Sequence, residues 1–181
     1  MWIMGKLHHR KPNRLKGYDY SQQGYYFVTI CTHNRIEYFG GIKNDSMVIN
    51  KYGLIVRQQW KWLENHFKYV HLDEFIIMPN HMHGIVEINP YVGTNRDLSL
   101  LRQQKHNDEK STIKIKSLSE LIGAFKTTSS KQIHLEGLLE FKWQRSFYEH
   151  IVRNEKSLEK IRWYIKNNPL LWKRDRNRDH E

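Results

Sequence analysis

A single cysteine, Cys31, in a chain of 181 residues excludes an internal disulfide and a cysteine-rich zinc site. Set within Tyr25-Tyr26-Phe27-Val28-Thr29-Ile30-Cys31, it reads as a small buried hydrophobe. No stretch approaches the roughly 18 apolar residues that a membrane-spanning helix needs. Nor does the N-terminus, Met1-Trp2-Ile3-Met4-Gly5, hold the apolar core of a secretory signal, so a cytoplasmic location is expected, nucleoid-associated when DNA is bound. Internal repeats and low-complexity tracts are absent, and the length suits one domain. Acidic residues are scarce: 19 Asp and Glu face 30 Lys and Arg, leaving a net charge of +11. Such an excess favours a polyanionic partner, nucleic acid before acidic membranes or ribosomes. Aromatic residues are plentiful at 13%, and some are candidates to stack on unpaired bases, although most belong to a core.

Residues 1–23 form a basic arm holding Arg10, Lys11 and Arg14, which either lies along phosphates or is a solvated terminus. The β-branched and aromatic run 25–32 predicts a buried strand. Gly40-Gly41 and Asn44-Asp45 mark turns, and 47–49 a short strand. An apolar stripe over 52–67 predicts a helix, followed by strands at 72–78 and 81–88. Residues 89–116 are polar and aperiodic, as expected of a flexible loop. Ser117 and Glu120 have capping-box spacing and open a further helix. The segment 141–153 is aromatic and basic. The last helix starts near Asn154 or Ser157 and is expected to stop at Asn168, since Pro169 disfavours helical geometry before it. A charged tail occupies 173–181. This order suits an α+β domain with helices packed on an antiparallel sheet.

Two features carry chemistry. In His81-Met82-His83 the strand alternation sends both imidazoles to one face, as a divalent-metal site requires. Two surface histidines, or a pair satisfied by hydrogen bonds, fit the same pattern. No Asp follows within the next few positions, which weakens a zinc-hydrolase reading. On the last helix Tyr164 and Asn168 lie one turn apart on a shared face. There the Asn168 amide oxygen is a candidate third ligand, and Tyr164 a candidate nucleophile for a phosphodiester. A tyrosine that merely packs is the alternative.

Met78-Pro79-Asn80-His81-Met82-His83-Gly84-Ile85 resembles the HUH signature, histidine-hydrophobic-histidine, of REP-associated tyrosine transposases and their insertion-sequence relatives. Tyr164-Ile165-Lys166-Asn167-Asn168-Pro169 resembles the Tyr-Ile-x-x-Asn-Pro motif of the same single-tyrosine HUH transposase family. Gly24 to Ile30 and Trp143 to Asn154 resemble its first strand and the segment before its catalytic helix. In this order the four blocks are highly specific. The resemblance implies a ferredoxin-like sandwich over 24–172, with Tyr164 the nucleophile and His81, His83 and Asn168 holding Mg²⁺ or Mn²⁺. It implies a transposase that nicks and rejoins single-stranded DNA near hairpins through a 5′-phosphotyrosine. Asn168, where many insertion-sequence members have Gln, points to the REP-associated branch. Homodimers occur among insertion-sequence relatives and monomers in the REP-associated group, and both stay open.

Lys126, Arg145 and Arg153 are candidate phosphate contacts, with the arm behind them. Tyr148 is the rival nucleophile, but it lacks an amide four residues on and reads as packing or a base-stacking platform. Two other functions compete: a domesticated hairpin-binding module that no longer cuts, and a metal-dependent single-strand nuclease.

Overall fold

In the computed structural model, residues 15–90, 114–175, 177 and 178 are described. Arg10, Lys11, Arg14 and most of the 89–116 loop therefore lie outside the described residues. The strands are β1 (Gly24–Cys31), β2 (Gly40–Lys43), β3 (Ser46–Ile49), β4 (Val70–Ile77), β5 (His81–Ile88) and β6 (Tyr148–Val152). The helices are α1 (Lys51–His66), α2 (Leu118–Leu135) and α3 (Glu155–Leu171). β2 and β3 form a separate hairpin. The main sheet is antiparallel in the order β4-β5-β1-β6. Counted along the chain, its strands lie second-third-first-fourth, with α1 and α2 as crossovers, which is the ferredoxin-like arrangement.

Strand alternation divides the sheet into two unlike faces. Tyr26, Val28 and Ile30 of β1 and Met82 and Val86 of β5 join Trp60 of α1 and Phe125 of α2 in the larger core. The next residues along, Phe27 and Ile85, face the other way and pack with Leu158 and Ile165 of α3. Gly84 makes this layering possible, because a Cβ there would lie 2.6 Å from Trp60 Cζ2. α2 begins as its capping box predicts: Ser117 N–H donates to Glu120 Oε2 at 2.8 Å and Glu120 N–H returns to Ser117 Oγ at 3.4 Å. Such a cap contributes about 1 kcal/mol.

Three expectations need correction. Gly40-Gly41 is not a turn but the start of β2, where Gly40 takes a φ of 129° and a Cβ would meet Val48 O at 2.1 Å. The 141–153 segment contains β6, a short edge strand whose polar alternation hid it. α3 does not stop at Asn168; it continues through Pro169 to Leu171. Pro169 costs the helix one N–H, but it is buried, and packing outweighs the local preference.

Candidate active site

Register brings the site together. One cross-strand row runs Ile76, His83, Thr29, Tyr148, all on the face that α3 covers in part. His81 and His83 are both buried, with Nε2 atoms 3.1 Å apart. Each ring is held by its other nitrogen. His81 Nδ1 lies 2.8 Å from Asn80 Oδ1, and His83 Nδ1 lies 2.8 Å from Thr29 Oγ1. Asn80 is itself fixed, since its Nδ2 donates to Arg35 O at 2.9 Å and Asn177 O at 3.0 Å. Its Oδ1 is thereby turned to accept from His81 Nδ1–H. With both Nδ1 atoms protonated and donating, the two Nε2 lone pairs converge on one point. Such outer partners set tautomer and ring orientation at metal sites.

Burial, with the nearby Arg35 charge, pushes His81 down to about 3, so its ring is neutral at physiological pH. That is the form a metal binds. Trp172 stacks over His81 at 5.9 Å and Phe27 over His83 at 5.4 Å, closing the rings off from water.

Asp175 completes the cluster, with Oδ2 3.8 Å from His81 Nε2. His81, His83 and Asp175 can hold a metal ion, with ligand atoms all within 4.8 Å of one another. Asp175 gave no signal in the sequence: it sits in the charged tail, and only the 3₁₀ turn Trp172–Arg174 carries it back over the sheet.

Asn168 is fully buried, and among the described residues neither its amide nitrogen nor its oxygen has a hydrogen-bond partner. An orphaned buried amide costs about 1–3 kcal/mol, and coordination would relieve it. The neutral His81 ring, a second imidazole, a carboxylate and an unsatisfied amide on the adjoining helix are a donor set that fits a divalent cation. The Tyr164 hydroxyl stands 3.2 Å from His83 Nε2, and Tyr164 lines a cavity of about 400 Å³ with Leu171, Arg174 and Asp175.

The α3 helix is anchored by charge as well as by Leu158 and Ile165. A register shift between Leu72 and Phe75 lets two successive carboxylates of β4 reach it. Arg162 grips Asp73 through Nε at 3.0 Å and Nη2 at 2.6 Å, and Lys166 pairs with Glu74 at 2.8 Å.

The candidate phosphate contacts part company. Lys126 donates to the carbonyls of Gln144, Arg145 and Ser146 at 2.8, 3.4 and 3.2 Å, and burial lowers it to about 8. Arg145 is exposed on the loop that Lys126 gathers. Arg153 is exposed beside a cavity of about 380 Å³ with Glu149 and His150. Tyr148 lies across Phe27 from Tyr164: its ring meets Phe27 edge-on at 6.4 Å, and Phe27 meets Tyr164 at 6.2 Å. Among the described residues no helix is long and apolar enough to cross a membrane.

These features define a ferredoxin-like α+β protein with a buried histidine pair and a helix-borne tyrosine on one sheet face. The fold is that of a solved REP-associated tyrosine transposase bound to a REP hairpin, at TM-score 0.52 and 18% identity over 87% of this chain and 72% of that one. A candidate transposase from Deinococcus radiodurans R1 overlays at TM-score 0.46 with 15% identity, covering 85% and 95%. No protein-family profile matches the chain. An uncharacterized protein of Haemophilus influenzae is 40% identical over 169 residues, 93% of each chain, and this protein belongs to the same family.

Proposed function

We propose that this protein is a single-tyrosine HUH transposase that nicks and rejoins single-stranded DNA beside hairpins, with Tyr164 as nucleophile. The observation that carries the reading is the Tyr164 hydroxyl 3.2 Å from His83 Nε2, over a buried imidazole pair, on a helix that also bears the unsatisfied Asn168 amide. His81, His83 and Asn168 would hold Mg²⁺ or Mn²⁺, joined by Asp175. A donor set mixing two imidazoles with oxygen suits Mn²⁺ better than Mg²⁺. When bound, the ion supplies Lewis-acid polarisation of a phosphate oxygen.

The side chains do the rest. Tyr164 Oη attacks phosphorus: the Oη–P bond forms as the P–O3′ bond breaks, and the phenolic proton passes overall to the departing 3′ oxygen. A 5′-phosphotyrosine and a free 3′-hydroxyl result, and attack by another 3′-hydroxyl reverses the step. One phosphodiester replaces another, so no high-energy cofactor is consumed. Phe27 packs edge-on against the Tyr164 ring, and the Arg162 and Lys166 ion pairs fix the helix that bears it. Exposed Arg145 and Arg153, with the basic arm, are the candidate backbone contacts.

The test is incubation of the protein and of Tyr164→Phe with end-labelled DNA hairpins from repeats flanking the gene, in Mn²⁺. Label migrating with the protein in a denaturing gel, and lost in Tyr164→Phe, is the expected result. Cleavage without a protein-linked product would make it a nuclease, and tight binding without cleavage a hairpin-binding module.

A further inference from the structure

A second cavity adjoins the residues that hold the candidate metal ligands. We propose that it seats one unpaired nucleobase and so contributes sequence choice next to the cut, an inference that rests on the single-stranded DNA reading above. The cavity measures about 240 Å³, and Thr29, Arg35, Gln144, Phe147, Tyr148 and Asn177 are among its lining. Thr29 is the residue that holds His83, so the two sites share a wall.

Three features give the cavity its chemistry. Tyr148 stands on edge strand β6 with 41% of its surface exposed, one strand beyond Thr29 on the face that carries Tyr164. A planar aromatic ring presented this way offers a stacking surface for a base. Asn177 is 5% exposed, and its Oδ1 accepts from Arg35 Nη1 at 2.9 Å. That bond fixes the amide and leaves Nδ2 a buried donor with no hydrogen-bond partner among the described residues. Arg35 reaches this position from a left-handed backbone, φ 57°, a conformation that non-glycine residues hold at a cost. The opposite wall is the Gln144–Ser146 loop, whose carbonyls are turned inward onto Lys126. The cavity thus offers an aromatic surface and an amide donor beside a single guanidinium, Arg35, whose Nη1 is already spent on Asn177. An aromatic face with donors at its rim matches a flat ring that carries acceptors on its edge.

The experiment measures fluorescence anisotropy of a labelled DNA hairpin with a short unpaired flank, in Ca²⁺ to withhold cleavage. Each flank position is replaced in turn by an abasic residue. One position is expected to weaken binding by about tenfold when abasic, the size of a lost base–aromatic stack. Tyr148→Ala should weaken the intact hairpin equally and erase the abasic penalty, whereas Tyr148→Phe keeps both. Asn177→Ala should flatten the base preference at that position, with thermal melting confirming that each variant is folded. Equal abasic penalties in wild type and Tyr148→Ala at every position overturn the proposal. Covalent adduct formation is scored in Mn²⁺ alongside. An adduct without base dependence sinks the pocket alone, and base dependence without an adduct sinks the transferase alone.

Discussion

Asn168 is the residue on which the metal reading bears hardest. A fully buried amide with both polar atoms unsatisfied among the described residues is a liability in a purely structural role. Asn168→Leu replaces it with an apolar side chain of similar shape, a change expected to be neutral or stabilising by about 1 kcal/mol without metal. The same variant should lose most of the thermal shift that Mn²⁺ gives the wild type. Thermal melts with and without Mn²⁺ check both halves; a destabilised variant that keeps its Mn²⁺ shift would assign Asn168 to packing. Asn168 stood out as a candidate ligand in the sequence because four-residue helical spacing ties it to Tyr164. Asp175 was not: no periodicity links a tail carboxylate to a strand that begins 94 residues earlier, at His81. Asn80 stood in plain view beside His81, but its orientation depends on Arg35 and Asn177, which only tertiary structure brings to it.

Among the elements, α3 and β5 matter most. α3 is set in place by Arg162 and Asp73 across the irregularity in β4, with the Asp73 side chain only 12% exposed. Burial pushes the Asp73 carboxyl up, but the Arg162 bonds outweigh it and hold the group below its ordinary value of 3.8. Its stabilising contribution is therefore complete at neutral pH and is lost as pH falls below 3.8 through the folded-state value. Asp73→Ala should cost about 1–3 kcal/mol at pH 7, and the gap from wild type should shrink in acid. Urea melts across that range measure it, and a gap that widens in acid would contradict the assignment. In β5 the constraint is steric. Gly84→Ala would press a Cβ onto Trp60, a fully buried ring with no room to retreat, and a loss of about 1–3 kcal/mol is expected in the same melts. β5 and α1 were visible as alternation and as a helical stripe. β6 was not, because Tyr148, Glu149 and His150 carry no apolar alternation and only pairing with β1 makes them a strand. The end of α3 is not legible locally, because the rule that a proline ends a helix yields at Pro169 to a buried environment.

For the whole molecule, charge and fold act together. The ferredoxin-like order was inferable from the succession of elements and the transposase resemblance, since short connections leave few topologies. With a net charge of +11, affinity for single-stranded DNA should fall linearly with salt on logarithmic axes, with a slope of about −0.7 for each phosphate neutralised. Anisotropy titrations from low to physiological salt provide the slope, and salt-independent binding would rule out the backbone contacts assigned to Arg145, Arg153 and the arm. Lys126 is not expected to add to that slope, since carbonyls already take its ammonium.

The central claim is that one phenol carries the DNA. The most direct measurement is mass spectrometry of the reacted protein after nuclease and trypsin digestion. Trypsin releases Trp163-Tyr164-Ile165-Lys166, a peptide whose only tyrosine is Tyr164. The account predicts this peptide with a nucleotide phosphate attached, formed only with metal and hairpin DNA present. A modified peptide carrying Tyr148 in its place, or cleaved DNA with no modified peptide at all, would contradict it.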